Sequence, residues 1–186
     1  ANLWDTCKSE VATGQFLDVL AQTQANLSTE SARNVVRFKT TKYTVERPLH
    51  VGAALAGASD ETLASLSKVA LPLGEAFQLR DDVLGVFGDP TNTGKPAGDD
   101  LREGKRTTLI ARTAQSCGDE RVLALLGTES GVDELRGLIV STGALAGVEK
   151  DIDLLTEQTQ SAIDEMGSAA KSILDPLVDA AIRRVR

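Results

Sequence analysis

The stretch LGEAFQLRDDVLGVFGD, residues 73–89, sets two adjacent carboxylates, Asp81 and Asp82, among Phe77, Leu79, Val83, Leu84, Val86 and Phe87. Apolar residues at this density belong in a core, and an unpaired carboxylate taken out of water is very costly. The segment therefore reads as a helix buried on most sides, with one side open to something that accepts negative charge. Gln78, Asp81 and Asp82 stand at i, i+3 and i+4, so on a helix they form one polar strip. Arg80 lies off that strip, which leaves a divalent cation or a water-filled cavity as the compensating partner. Mg2+ suits such a place, because it takes one or two carboxylates and completes its octahedron with water and phosphate oxygens. The same spacing also suits a solvated stripe on an amphipathic helix, and the helix alone does not separate the two.

The remaining pattern is helical as well. Aromatics make up only 3% of the chain, while Ala, Leu, Val and helix-favouring charged residues abound. Leu3, Cys7, Val11, Phe16, Val19 and Leu20 predict one amphipathic helix over 3–26, followed by shorter helices over 31–41 and 44–57. A long helix is expected over 60–88, capped by Ser59 or Asp60 and kinked at Pro72. Further helices are expected near 107–117, 119–126, 131–142, 144–166 and 169–184. No alternating strand pattern, repeat or low-complexity linker interrupts them. With 186 residues, 41% of them hydrophobic, the expectation is an all-α protein in a single helical domain over 1–186.

Composition removes several classes of function. A net charge of -7 offers nucleic acid and anionic membranes no general attraction. His50 is the only histidine, which excludes histidine-dependent triads and most transition-metal sites and leaves oxygen ligands for any metal. Cys7 and Cys117 are isolated, with neither a disulfide framework nor zinc spacing, so a reducing cytoplasm is the expected setting. No apolar run reaches the ~18 residues of a membrane span, and no signal peptide is recognisable. The sequence opens directly in helix-like residues, as if cut from something longer.

Behind the acidic helix lies the one long loop, GDPTNTGKPAGDDLREGKR, residues 88–106. Its Lys95 and Lys105 can meet diphosphate oxygens as point charges, or belong to an ordinary solvated loop. It is not a P-loop: five residues separate Gly88 from Gly94, and Pro96 follows the lysine where Ser or Thr is needed.

In order and spacing, FQLRDD, GD, TGK and GDDLREGKRTTL resemble the second aspartate-rich region of trans-isoprenyl diphosphate synthases. GQFLD, with Gln15 and Asp18, and KTTKYT, with Lys39, Thr40 and Tyr43, resemble the same family. The likeness covers most of residues 5–110, and the remainder matches only as a helical C-terminal region. It implies an isoprenoid-synthase-type helical bundle and a prenyltransferase. In that reaction an allylic diphosphate ionises, the double bond of isopentenyl diphosphate attacks the cation, and a proton is lost. Mg2+ ions hold the leaving diphosphate between two acidic motifs, where charge grows in the transition state.

Carried over by position, Asp81 resembles the metal-ligating aspartate, with Asp82 beside it as a ligand or its support. Lys39 and Lys95, with Lys105 as a further candidate, resemble lysines that hold the allylic diphosphate. Thr40, Tyr43 and Gln78 resemble polar residues lining the reaction centre, and Phe77 the aromatic next to that glutamine. Taken without the family, Thr40, Tyr43 and Phe77 suit ordinary helix packing, and Gln15 and Asp18 suit an exposed helix surface.

Two departures matter. The family's third aspartate is replaced by Gly85; Asp89, a turn later, is either a partial substitute or a turn residue. The first aspartate-rich motif and the residues that bind isopentenyl diphosphate are absent, so the expected bundle is incomplete, lacking N-terminal helices. The chain alone is then expected to be inactive or nearly so, and product length is not legible. An alternative is a non-catalytic partner subunit of a full-length synthase. A helical terpene cyclase fits less well, because QLRDD stands where its Asn/Asp, Ser/Thr, Glu motif belongs. A homodimer is expected by resemblance, and the arginines of the tail IRRVR, residues 182–186, suit a helix C-terminus.

Overall fold

The computed structural model describes residues 2–94 and 96–182. Among these there is no strand. The elements are α1 (Leu3–Thr23), α2 (Thr29–Val35), a π-helix (Val36–Glu46), α3 (Arg47–Leu55), α4 (Asp60–Phe87), α5 (Pro90–Thr93), α6 (Asp99–Arg102), α7 (Thr108–Cys117), α8 (Asp119–Leu125), a 3-10 turn (Glu129–Gly131), α9 (Val132–Ser141), α10 (Ala144–Met166) and α11 (Ser168–Ile182). The all-α expectation holds. No helix among the described residues is long and apolar enough to cross a membrane.

Local chemistry explains most boundaries. Ser59 rather than Asp60 caps α4, its Oγ accepting from the Thr62 N–H at 3.2 Å, and the helix continues through Pro72. Thr107 caps α7 through a bond from the Ile110 N–H. Gly167, with φ 91, turns the chain from α10 into α11, a conformation that a Cβ would oppose.

Two expectations fail. The break foreseen between 41 and 44 is absent: α2, the π-helix and α3 follow one another directly. Pro48, near the start of α3, contributes at the C-terminal end of the π-helix. Proline has no N–H and crowds the carbonyl four residues earlier, so an α-helical path would strain at Thr44. The wider π turn relieves this, and the Arg47 N–H reaches back five residues to the Lys42 carbonyl. Nor is the segment 88–106 a plain loop, since α5 and α6 lie within it. Asp89 caps α5, its Oδ1 accepting from the Thr91 N–H at 2.8 Å and the Thr91 hydroxyl at 2.7 Å.

The described residues group into two compact units, one of 2–17, 34–78 and 151–182, the other of 18–33, 79–94 and 96–150. In the first, Leu66, Val69, Ala70 and Leu73 form an apolar stripe on α4, and Ile152, Ile163, Leu174 and Val178 are buried on α10 and α11. In the second, Leu79, Val83 and Val86 of α4 are buried, as are Leu109 and Ile110 of α7, Leu135 and Ile139 of α9, and Val148 of α10. Cys7 and Cys117 are both free thiols.

Candidate functional site

In the first unit the π-helix carries Lys39, Thr40 and Tyr43. Lys39 and Thr40 are half-buried, Thr41 between them and Tyr43 is 2% exposed, and Tyr43 is 53% exposed. Phe77 and Gln78 are half-buried near the middle of α4, and Gln15 on α1 is exposed.

In the second unit α4 continues with Leu79, Arg80, Asp81 and Asp82. The two aspartates differ sharply: Asp81 is exposed, whereas Asp82 is 5% exposed among Leu79, Val83 and Val86, residues of the same buried face. Arg80 is committed elsewhere. Its Nη1 donates to Glu149 Oε1 at 3.0 Å and its Nη2 lies 2.8 Å from Glu149 Oε2, a two-pronged pair with both side chains mostly shielded from water. That matches the sequence expectation that Arg80 points off the acidic strip.

Asp100 was not singled out by sequence reasoning. It lies on α6, is 6% exposed, and pairs closely with the Lys105 ammonium. Its carboxylate occupies the space where a side chain at position 85 would start: a Cβ on Gly85 would stand 2.2 Å from Asp100 Oδ2 and 2.5 Å from its Cγ. Position 85 follows Asp81 by four residues and Asp82 by three, so it shares their helix face. The Asp100 carboxylate of α6 thus packs directly against the backbone of α4 at Gly85. The signal available in the sequence was the pairing of Gly85 with the doublet Asp99–Asp100.

Lys105, a candidate diphosphate ligand, is ion-paired on α6 and the segment after it. It is held by Asp100 and lies 3.3 Å from Glu103 Oε2. Burial, the largest single influence, works against its charged form. The bonds and charges of Asp100 and Glu103 outweigh it and raise the ammonium above its ordinary pKa. Asp89 is a capping residue, held below the usual carboxylate range by the Thr91 hydroxyl and backbone N–H. Lys95 and the arginines at 183, 184 and 186 lie outside the described residues.

Among the described residues no three His, Cys, Asp or Glu side chains gather closely enough to enclose a metal ion by themselves. An exposed Asp81 beside a buried Asp82 still fits Mg2+, which takes few carboxylates and leaves its other positions to water and phosphate oxygens. The donor set is all oxygen, and the sole histidine, His50, is buried in the first unit.

The sequence matches the polyprenyl synthetase family over residues 1–141. It is 33% identical over 183 residues to geranylfarnesyl diphosphate synthase of Aeropyrum pernix, covering 95% of this chain and 57% of that protein. Against geranylgeranyl diphosphate synthase of Mycobacterium tuberculosis the identity is 31% over 170 residues, 88% of this chain and 47% of the other. Among solved structures, geranylgeranyl pyrophosphate synthase of Corynebacterium glutamicum, complexed with isoprenyl diphosphate and magnesium, superposes with a TM-score of 0.92 at 39% identity. That match covers 99% of this chain and 55% of the other. The chain thus spans about half the length of the relatives it matches. An all-α fold, an acidic pair on a long helix with a lysine-bearing segment behind it, and a family match over three quarters of the sequence lead to one conclusion: the chain belongs to the polyprenyl synthetase family.

Proposed function

We propose that the protein is part of a prenyltransferase of isoprenoid biosynthesis, which joins an allylic diphosphate to isopentenyl diphosphate. The observation that carries this reading is the exposed Asp81 carboxylate on a helix whose own arginine, Arg80, is turned to Glu149. Asp81 is the metal ligand and Asp82 its buried neighbour. Bound Mg2+ would neutralise charge on the diphosphate as its bond to carbon lengthens. Lys39 and Lys95, with Lys105 as a further candidate, hold diphosphate oxygens as point charges. Thr40, Tyr43 and Gln78 turn oxygen dipoles toward the allylic cation, and Phe77 packs beside Gln78. Each of these groups acts by being fixed before charge develops.

The sequence carries one aspartate-rich motif, so the 186 residues by themselves turn over little or no substrate. The whole protein is read as a cytoplasmic homodimer of which this chain is a helical C-terminal portion. Titration of the chain with an allylic diphosphate, with and without Mg2+, tests the metal site. Metal-dependent binding that Asp81→Ala abolishes is expected, and binding unchanged by Asp81→Ala would overturn the assignment. Efficient product formation by the chain alone would overturn its inactivity.

A further inference from the structure

The π-helix bearing Lys39 and Thr40 is approached by two glycines. A Cβ on Gly14 of α1 would stand 2.3 Å from the Lys39 backbone N and 2.6 Å from its Cα. One on Gly74 of α4 would stand 2.8 Å from Thr41 Cα and 2.7 Å from its Cγ2. Only hydrogen fits at either place, so backbone meets backbone on both sides of the π turn. This is not general to glycines of the unit, since a Cβ on Gly52 of α3 would meet nothing within 4 Å.

A polar network closes the C-terminal end of the same element. Arg47 Nε and Nη2 donate to the two carboxylate oxygens of Glu10 on α1, at 2.6 and 2.7 Å. Lys42 Nζ bridges Glu10 and Glu46, at 2.8 and 3.2 Å. Arg47 Nη1 lies 3.1 Å from His50 Nδ1, and a guanidinium only donates, so Nδ1 accepts and the ring proton sits on Nε2. That proton is donated to Ser67 Oγ of α4 at 2.9 Å, and Ser67 in turn donates to Glu46 Oε1 at 2.8 Å. The direction is opposite to a nucleophilic triad, in which serine donates to histidine. Ser67 here is a tie between α4, the π-helix and α3.

A π turn is an uncommon backbone state, and it persists where its surroundings over-determine it. Each residue it inserts rotates everything after it by about 100° relative to an α-helix, so the directions of Lys39 and Thr40 depend on it. We propose that Gly14, Gly74 and the network tied by Ser67 are positioning residues, holding the π backbone so that the Lys39 ammonium meets the diphosphate. The inference rests on the reading of Lys39 as a diphosphate ligand.

The test is calorimetric titration of the full-length protein with inorganic pyrophosphate and Mg2+. Gly74→Ala and Ser67→Ala are each expected to weaken binding about tenfold, Ser67→Thr to restore it, and Gly52→Ala to leave it unchanged. In a Lys39→Ala background, neither change weakens binding further. Wild-type affinity in Lys39→Ala would overturn the reading of Lys39 itself. Weak binding in Lys39→Ala but not in Gly74→Ala or Ser67→Ala would overturn the positioning role alone. Losses that add to that of Lys39→Ala would show a packing effect not routed through Lys39, and overturn it equally. Ser67→Ala touches no backbone contact and carries the test if Gly74→Ala does not fold.

Discussion

Gly85→Ala will destabilise the protein, although at an ordinary helical position the same exchange stabilises by about 1 kcal/mol. The new methyl would stand 2.2 Å from Asp100 Oδ2 and 2.5 Å from Asp100 Cγ, so the carboxylate must retreat by about 1 Å to reach normal contact. Asp100 is 6% exposed and has little room to do so. Overpacking of this kind costs about 1–3 kcal/mol. Loosening the bond to Lys105 adds about 1 kcal/mol, at the low end because that lysine side chain is 43% exposed. Set against the helical gain, the net loss is about 1–3 kcal/mol, or roughly 3–10 °C in midpoint for a chain of this size. Urea and thermal unfolding followed by circular dichroism measure it. Asp100→Ala provides the sign test, because with the carboxylate gone the alanine methyl fits and Gly85→Ala becomes neutral or stabilising. Stabilisation by Gly85→Ala in the wild-type background would refute the argument, as would an equal loss in both backgrounds.

Other expectations follow from the same geometry. Burial alone would raise the Glu10 carboxyl, but hydrogen bonds from Arg47 and Lys42, with their charges, outweigh it and hold the pKa below its usual 4.5. Below about pH 4.5 the unfolded chain therefore binds more protons at this site than the folded one. The stability it contributes is whole above that pH and is lost as pH falls through the lower folded value. Glu10→Gln is expected to flatten the fall in stability between about pH 5 and pH 3, and unchanged slopes would count against the assignment. Arg80→Ala leaves Glu149 without its two-pronged partner and is expected to cost about 1–3 kcal/mol in urea unfolding. In a double-mutant cycle with Glu149→Ala the two losses overlap, and strictly additive losses would show that the pair contributes nothing.

Much of the molecule was legible because its signals are local. Ser59, Thr107 and Gly167 mark helix ends through bonds or backbone angles that involve only their neighbours. The strip of Gln78, Asp81 and Asp82 follows from helical spacing, and the run from FQLRDD to GDDLREGKRTTL carries the family in its order. Periodicity also marked α4 correctly across Pro72. It misread residues 31–57 because the chain runs there as a widened helical turn rather than a break, and composition does not distinguish the two.

What the sequence by itself determined, then, is a set of helices, their apolar faces and an acidic pair of recognisable type, since caps and periodicity act over one or two turns. Only tertiary structure decided which charges meet. Arg80 finds Glu149 sixty-nine residues away, Glu10 finds Arg47, and Asp100 enters the gap at Gly85 and takes Lys105 with it. The physical reason is that an ion pair or a backbone contact through glycine depends on where two distant segments pack. No pattern along either segment records that distance.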